Sequence, residues 1–114
     1  MNITYETLSV TALRTNASTQ EVSLPFDVEK KLLLITHISA VDVTHDLTSA
    51  QLLLNRGASD ICLTSTGTLT TNETLTFTGL LFLTGQGTIT FRITGGNEGD
   101  SLRVSALGVV ITLV

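Results

Sequence analysis

Four residues with side chains suited to metal binding or proton transfer lie close together in the chain. They are His37, Asp42, His45 and Asp46. Imidazole and carboxylate groups do this chemistry only where they converge on one point. His37 and His45 would share one face of an extended strand, but at about 3.3 Å per residue they would lie roughly 26 Å apart. His45 and Asp46 could form a small polar site at the end of the strand, but a solvated strand end explains them equally well. We therefore predict neither a catalytic site nor a metal site.

A glycine-rich segment and a single cysteine are the other features that chemistry could use. Residues 95–100, Gly-Gly-Asn-Glu-Gly-Asp, could offer oxygen ligands to calcium, but their spacing does not fit a helix-loop-helix site, so we predict a hairpin loop. Cys62 stands alone, which excludes an internal disulfide framework, and its apolar neighbours predict a small core residue. The sequence contains no Gly-x-Ser-x-Gly elbow and no phosphate-cradling glycine loop. We therefore predict a protein that is not an enzyme and uses no cofactor.

The composition is that of one folded domain. The chain has 114 residues, of which 42% are hydrophobic and 14% are charged, a balance opposite to that of disordered segments. The net charge is −4 and the six basic residues do not cluster, which argues against nucleic-acid binding. The N-terminus lacks the features of a signal peptide, and the apolar runs are too short to span a bilayer. We expect a single domain over residues 1–114, with no nucleic-acid partner and no membrane.

The elements that position these residues follow a period of two. Between residues 87 and 94, Ile89, Phe91 and Ile93 alternate with threonines and an arginine, and between residues 73 and 78, Leu75 and Phe77 alternate with threonines. Such alternation is typical of half-buried strands. We predict that these five apolar residues share one core and that the intervening polar side chains face solvent.

Further strand candidates occur at intervals of about ten residues, separated by glycine- and asparagine-containing turns. The candidates cover residues 3–13, 22–26, 31–44, 50–56, 59–65, 80–83 and 101–114. The only helical alternative is residues 47–56, with Asp46 as a possible N-cap. We predict an all-β protein, an antiparallel β-sandwich of eight or nine short strands.

Two segments carry apolar residues on more than one face. In the last strand Leu107, Val109 and Ile111 share one face with Leu113, whereas Val110 and Val114 fall on the other. A terminal strand of a small sandwich ordinarily faces water on one side, so a second apolar face needs a cover, either within the fold or from another subunit. The run from Leu80 to Leu83 poses the same problem. The expected interface residues are Leu80, Phe82, Leu107, Val109, Val110, Ile111, Leu113 and Val114.

The closing part of the chain combines a glycine-containing strand, a hairpin and a Gly-Asp-Ser-Leu-Arg-Val strand at residues 99–104. This pattern, from Thr74 to Ile111, resembles the final strands of small jelly-roll virion proteins of tailed bacteriophages. The resemblance implies a jelly-roll-like sandwich that acts as a capsid decoration or other accessory protein, binds the major capsid protein or another virion protein, and has no catalytic residues to carry over. It further implies a homotrimer that is located in the virion and made in the host cytoplasm.

Two other classes of function remain open. A carbohydrate- or receptor-binding module, associated with a fibre or tail, is compatible with a β-sandwich because such folds present ligand sites on loops or an exposed face. Carbohydrate-binding surfaces usually contain exposed aromatic residues, however, and this chain has no Trp and a single Tyr. A cytoplasmic enzyme or enzyme subunit is disfavoured because no catalytic constellation is present.

Overall fold

The computed structural model describes the backbone of residues 2–13, 20–96 and 100–112, and the side chains within 21–29, 31–96 and 100–111. Throughout these residues the regular structure is β-strand, which confirms the all-β prediction. The helical alternative at residues 47–56 is wrong, because this segment is a strand. The six strands are β1 (Asn2–Leu13), β2 (Gln20–Asp42), β3 (Leu47–Arg56), β4 (Ser59–Thr66), β5 (Thr74–Gly95) and β6 (Ser101–Thr112).

Two of the strands are too long to be straight. Strand β2 has 23 residues and β5 has 22. A straight strand of that length would measure roughly 70 Å at about 3.3 Å per residue, whereas the longest dimension of the molecule is 47 Å. Both strands therefore bend around the core, and each contributes to two layers of a sandwich.

The strands pair in the order β1-β6-β2-β5-β3-β4, and every neighbouring pair is antiparallel. Layer one consists of β1, β6, residues 31–42 of β2 and residues 74–83 of β5. Layer two consists of residues 20–28 of β2, residues 85–95 of β5, β3 and β4. The predicted count of eight or nine short strands is wrong, because the described residues form six strands. Strands β2 and β5 are continuous through both layers, so each layer contains four strand segments.

The bends in β2 change which residues face the core. Buried positions are even-numbered up to Val28, odd at Leu33 and Ile35, and even again from Ile38 onward. Each change coincides with an irregularity in the pairing with β5, between Val28 and Leu33 and again between Ile35 and His37. An extra residue on one strand transfers the following side chains to the opposite face, so these irregularities account for both changes.

One core lies between the layers and draws on both of them. Ile89, Phe91 and Ile93 are completely buried, Leu75 is nearly so, and Phe77 packs against the same cluster, which confirms the predicted core. The face of β5 that contains these residues stays the same along its whole length. Sequence alternation was therefore a reliable guide for this strand.

Cys62 is exposed, so its predicted place in the core is wrong. The pairing of β3 with β4 shifts between Leu52 and Leu53, which are opposite Thr64 and Cys62 respectively. The residue in between, Leu63, packs against the core instead. The bulge in the edge strand β4 thus turns Leu63 toward the core and leaves Cys62 exposed. The local sequence could not indicate this bulge.

Candidate interaction surface

The outer face of layer one carries the exposed apolar residues of β6. Along this strand Leu102, Val104 and Ala106 point into the core, so the alternate residues Leu107 and Val109 point outward. Leu107 is 47% exposed, which is high for a leucine in a strand that has neighbours on both sides. The outer side of β6 therefore becomes apolar toward its C-terminal end.

Strand β5 continues this apolar surface at the other edge of layer one. Its inward residues are odd-numbered, so Leu80 and Phe82 face outward, with 66% and 60% of their surfaces exposed. Leu34 of β2 is opposite both Phe82 and Val109, and its side chain lies between the two strands on the same outer face. One row of apolar residues thus crosses three strands.

A second row lies beside the first, because Leu32 is opposite Ile111 in the pairing of β2 with β6. The residues of both rows, with their apolar neighbours on β5 and β6, form one surface that we call the apolar patch. The register of β1 places Ile3 and Tyr5 opposite Ile111 and Val109 at its edge. The patch consists of Leu32, Leu34, Leu80, Phe82, Leu107, Val109 and Ile111.

Every residue of the patch is apolar, and residues with hydroxyl groups predominate on the other half of this face. His37 marks the boundary, since it is opposite Leu107 on one side and Thr78 on the other. Beyond it the hydroxyls of Ser39 and Ser105 form a hydrogen bond of 3.0 Å. One face of one sheet is therefore divided into an apolar half and a hydroxyl-rich half.

The structure places only some of the predicted interface residues in the apolar patch. Val110 is only 6% exposed and belongs to the core of its own chain, so its assignment to the interface is wrong: it lies on the inward face of β6. Leu113 and Val114 lie outside the described residues. Leu32 and Leu34 also belong to the patch but were not predicted from the sequence, although the run at residues 31–35 is apolar. The bends of β2 decide which of its residues face outward.

The outer face of layer two is polar and its groups are paired with one another. The Asn55 side-chain oxygen accepts hydrogen bonds from Thr88 Oγ1, at 3.1 Å, and from Thr90 Oγ1. Thr90 also forms a 3.2 Å hydrogen bond with Ser23. Arg92 donates to Glu21 at 2.8 Å across the neighbouring strand.

Thr90 was expected to face solvent, but it is only 1% exposed. Its side chain does lie on the outer face, opposite Ser23 on β2 and Leu53 on β3. Because β5 is an interior strand of layer two, these neighbours cover the threonine from both sides. Its buried hydroxyl is satisfied by hydrogen bonds, as buried polar groups require.

Of the residues suited to metal or proton chemistry, the structure groups some and separates others. His45 Nδ1 donates to Asp100 Oδ1, and the carboxyl of Asp42 is within hydrogen-bonding reach of Asp100. Asp46 instead accepts two hydrogen bonds from Thr71, which lower the pKa of Asp46. Across the described part of the chain, no group of three or more His, Cys, Asp or Glu residues is arranged to hold a metal ion.

One solved structure is similar in fold to almost the whole of this chain. A protein of the disulfide-linked pili of Bacillus endospore appendages is similar over 98% of this chain and 89% of its own, with 10% identity and a TM-score of 0.53. The described strands form an antiparallel, jelly-roll-like sandwich. No protein-family model matches the sequence, and no curated protein matches it. No membrane-spanning helix occurs among the described residues.

Two viral particle proteins are similar to this chain at lower TM-scores. A protein of the extra small virus of the prawn Macrobrachium rosenbergii matches over 100% of this chain and 82% of its own, with 11% identity and a TM-score of 0.46. A protein of the infectious bursal disease virus particle matches over 96% of this chain but only 31% of its own, with 12% identity and a TM-score of 0.49.

Proposed function

We propose that this protein is a non-enzymatic structural protein whose copies associate through the apolar patch, and that the assembly is an accessory component of a viral particle. The observation that carries the proposal is the continuous row from Phe82 through Leu34 to Val109 on the outer face of layer one. Single exposed apolar residues are normal on any protein surface. A contiguous patch on a folded domain usually marks an interface.

The properties of the patch favour a second copy of the chain as its partner. Each copy has a net charge of −4 but contributes no charged residue to the patch, so association brings apolar surfaces together without burying unpaired charges. The domain is small and has one cysteine, so it has no internal disulfide to stabilise it. Burial between copies would add the stability that a small core lacks.

The viral context comes from the sequence resemblance over residues 74–111 to small jelly-roll virion proteins. Within that context we propose a capsid decoration or cement protein, assembled as a homotrimer, with the major capsid protein or another virion protein as its partner. The protein would be made in the host cytoplasm and located in the virion. The viral particle proteins of similar fold are compatible with this assignment.

The experiment is co-sedimentation with viral heads that were assembled without this chain. The wild-type protein is expected to bind them, and the double variant Phe82→Ser with Leu107→Ser is expected to lose binding because a monomer lacks the avidity of an oligomer. Ile61→Ser is the matched control, since Ile61 is also exposed, at 51%, but lies on β4 in layer two. An oligomer that does not bind heads would contradict the decoration role.

A filament subunit is the second candidate, and the fold likeness to the Bacillus pilus protein favours it. Negative-stain electron microscopy of the concentrated protein separates the two functions. Discrete oligomers are expected for a decoration protein, whereas filaments would favour the pilus-like role. A carbohydrate- or receptor-binding role would instead be indicated by specific binding on a glycan array.

A further inference from the structure

A cluster of hydrogen bonds joins three connecting segments at the end of the sandwich away from the apolar patch. The N–H of Val43 donates to the carbonyl of Ser101 at 3.2 Å, and the N–H of Ser101 donates to Thr44 Oγ1 at 3.0 Å. From the turn that precedes β5, the N–H of Asn72 donates to the carbonyl of Asp42 at 3.0 Å. The connections after β2, before β5 and before β6 are therefore held together at this point.

Two buried carboxyl groups lie at the centre of this cluster. Asp42 is 1% exposed and Asp100 is completely buried. Oδ1 of Asp42 accepts the N–H groups of Thr44, at 2.8 Å, and His45, at 3.1 Å, while Oδ2 of Asp42 has no hydrogen-bond partner. The carboxyl of Asp100 is within hydrogen-bonding reach of that of Asp42. It also accepts a hydrogen bond from Nδ1 of His45, which is half-exposed.

Two adjacent carboxylates in a buried site cannot both be ionised without strong repulsion. Burial raises the pKa of Asp42, and the hydrogen bond with Asp100 raises it further, against the lowering effect of the two backbone N–H groups. A proton between the two carboxyl groups turns the repulsion into a hydrogen bond. It also supplies a partner for the oxygen of Asp42 that otherwise has none.

We propose that Asp42 and Asp100 share one proton, and that this pair is a pH-sensitive latch that tightens the three connections as the solution becomes more acidic. The titratable groups around the pair in the described residues are His45 and Asp46 on the connection after β2, and Glu73 on the turn before β5. Asp46 and Glu73 are engaged by Thr71 and Thr70 respectively. The pH response of the latch therefore comes from the carboxyl pair.

The sign of the effect follows from proton linkage. The pKa of Asp42 is raised above its ordinary value of 3.8, so the folded state binds more protons than the unfolded state at pH values between the two. Stability therefore increases as the pH falls through the folded-state pKa of Asp42, and the gain is complete below 3.8. Asp46 acts in the opposite direction, since its lowered pKa gives stability that is present above 3.8 and lost as the pH falls through its folded-state pKa.

The first test is the pH dependence of the melting temperature in the variant Asp42→Asn. Asparagine keeps an oxygen for the two backbone N–H groups, and its amide nitrogen donates to Asp100 as the shared proton does. We expect the variant to melt a few degrees above the wild type at about pH 8, with the difference disappearing at about pH 4. Asp46→Asn is the control, and it should melt below the wild type at about pH 8 because the Thr71 hydrogen bonds then lose a charged acceptor.

A titration of the wild-type carboxyl carbons by NMR tests the same proposal without a variant. The Asp42 signal is expected to titrate above 3.8, and to follow the signal of Asp100 because the two groups share a proton. An Asp42 midpoint at or below 3.8 would overturn the proposal. A wild-type melting temperature that falls on addition of a chelator, together with a destabilising Asp42→Asn substitution, would also overturn it, because a cation would then hold the two carboxyl groups.

Discussion

The two outer faces of this sandwich both include segments of the bent strands β2 and β5, but the side chains on the two faces differ in how they are paired. In layer two, β5 presents threonines and Arg92, which pair with Asn55, Ser23 and Glu21 within the same chain. In layer one, the same strand presents Leu80 and Phe82, which leave more than half of their surfaces exposed. The comparison shows that the polar face is complete by itself, whereas the apolar half of layer one has surface left to bury.

The largest effect is expected from breaking the core that both faces share. Phe91 is completely buried, and its inward position fixes the outward position of its neighbours on β5. Phe91→Ala should reduce the free energy of unfolding by about 3–5 kcal/mol, measured by urea denaturation. A loss below about 1 kcal/mol would mean that the assignment of inner and outer faces is reversed.

The next effect concerns the close approach of β6 to β2 beneath the apolar patch. A Cβ at Gly108 would lie 2.8 Å from the carbonyl oxygen of Leu34, so the two strands would have to separate. Gly108→Ala should therefore cost about 1–3 kcal/mol of unfolding free energy, the usual cost of overpacking. Gly67→Ala is the control, because a Cβ there meets no atom within 4 Å. Equal stability of the two variants would contradict the close strand pairing.

The polar face can be tested at Thr90, whose buried hydroxyl connects Asn55 with Ser23. Valine preserves the shape of threonine but removes the hydroxyl. Thr90→Val should cost about 1–2 kcal/mol of unfolding free energy, because buried polar partners then lose a hydrogen bond. Thr94→Val, at an exposed position of the same strand, should change stability by less than about 0.5 kcal/mol. If Thr90→Val changed the unfolding free energy as little as Thr94→Val, the polar face would not depend on the hydrogen bonds among its own side chains.

The fold was predictable to the extent that it depends on local alternation. Ile89 and Phe91 were placed correctly because β5 keeps one face inward along its whole length. Leu34 and Cys62 were missed or misplaced because bulges change the inward face, and a bulge depends on the pairing of distant strands. Thr90 was misplaced for a related reason: its burial comes from neighbours on both sides and not from its own strand.

The carboxyl pair could not be found from sequence because its members are far apart in the chain. Asp42 ends β2 and Asp100 precedes β6, and only the antiparallel pairing of these strands brings them together. The sequence grouped Asp42 with His37, His45 and Asp46, which are its neighbours along the chain. The topology retains His45 from this group and adds Asp100.

The smallest effect on the stability of the single chain is expected at the apolar patch itself. Phe82→Ser and Leu107→Ser remove side chains that make few contacts inside their own domain, since both are largely exposed. At a protein concentration low enough to dissociate any oligomer, each should change the free energy of unfolding by no more than about 0.5 kcal/mol. A loss of 2 kcal/mol or more, on the order of a buried-residue truncation, would place these residues in the core of the monomer.

The oligomeric state in solution tests the central claim most directly. Multi-angle light scattering at micromolar concentration is expected to give a mass that is a small multiple of 12.1 kDa for the wild type, with three copies favoured, and 12.1 kDa for Phe82→Ser combined with Leu107→Ser. Ile61→Ser should retain the wild-type mass, because this exposed residue lies outside the patch. A wild-type protein that stays monomeric, or a double variant that assembles as well as the wild type, would contradict the claim that the apolar patch joins copies of this chain.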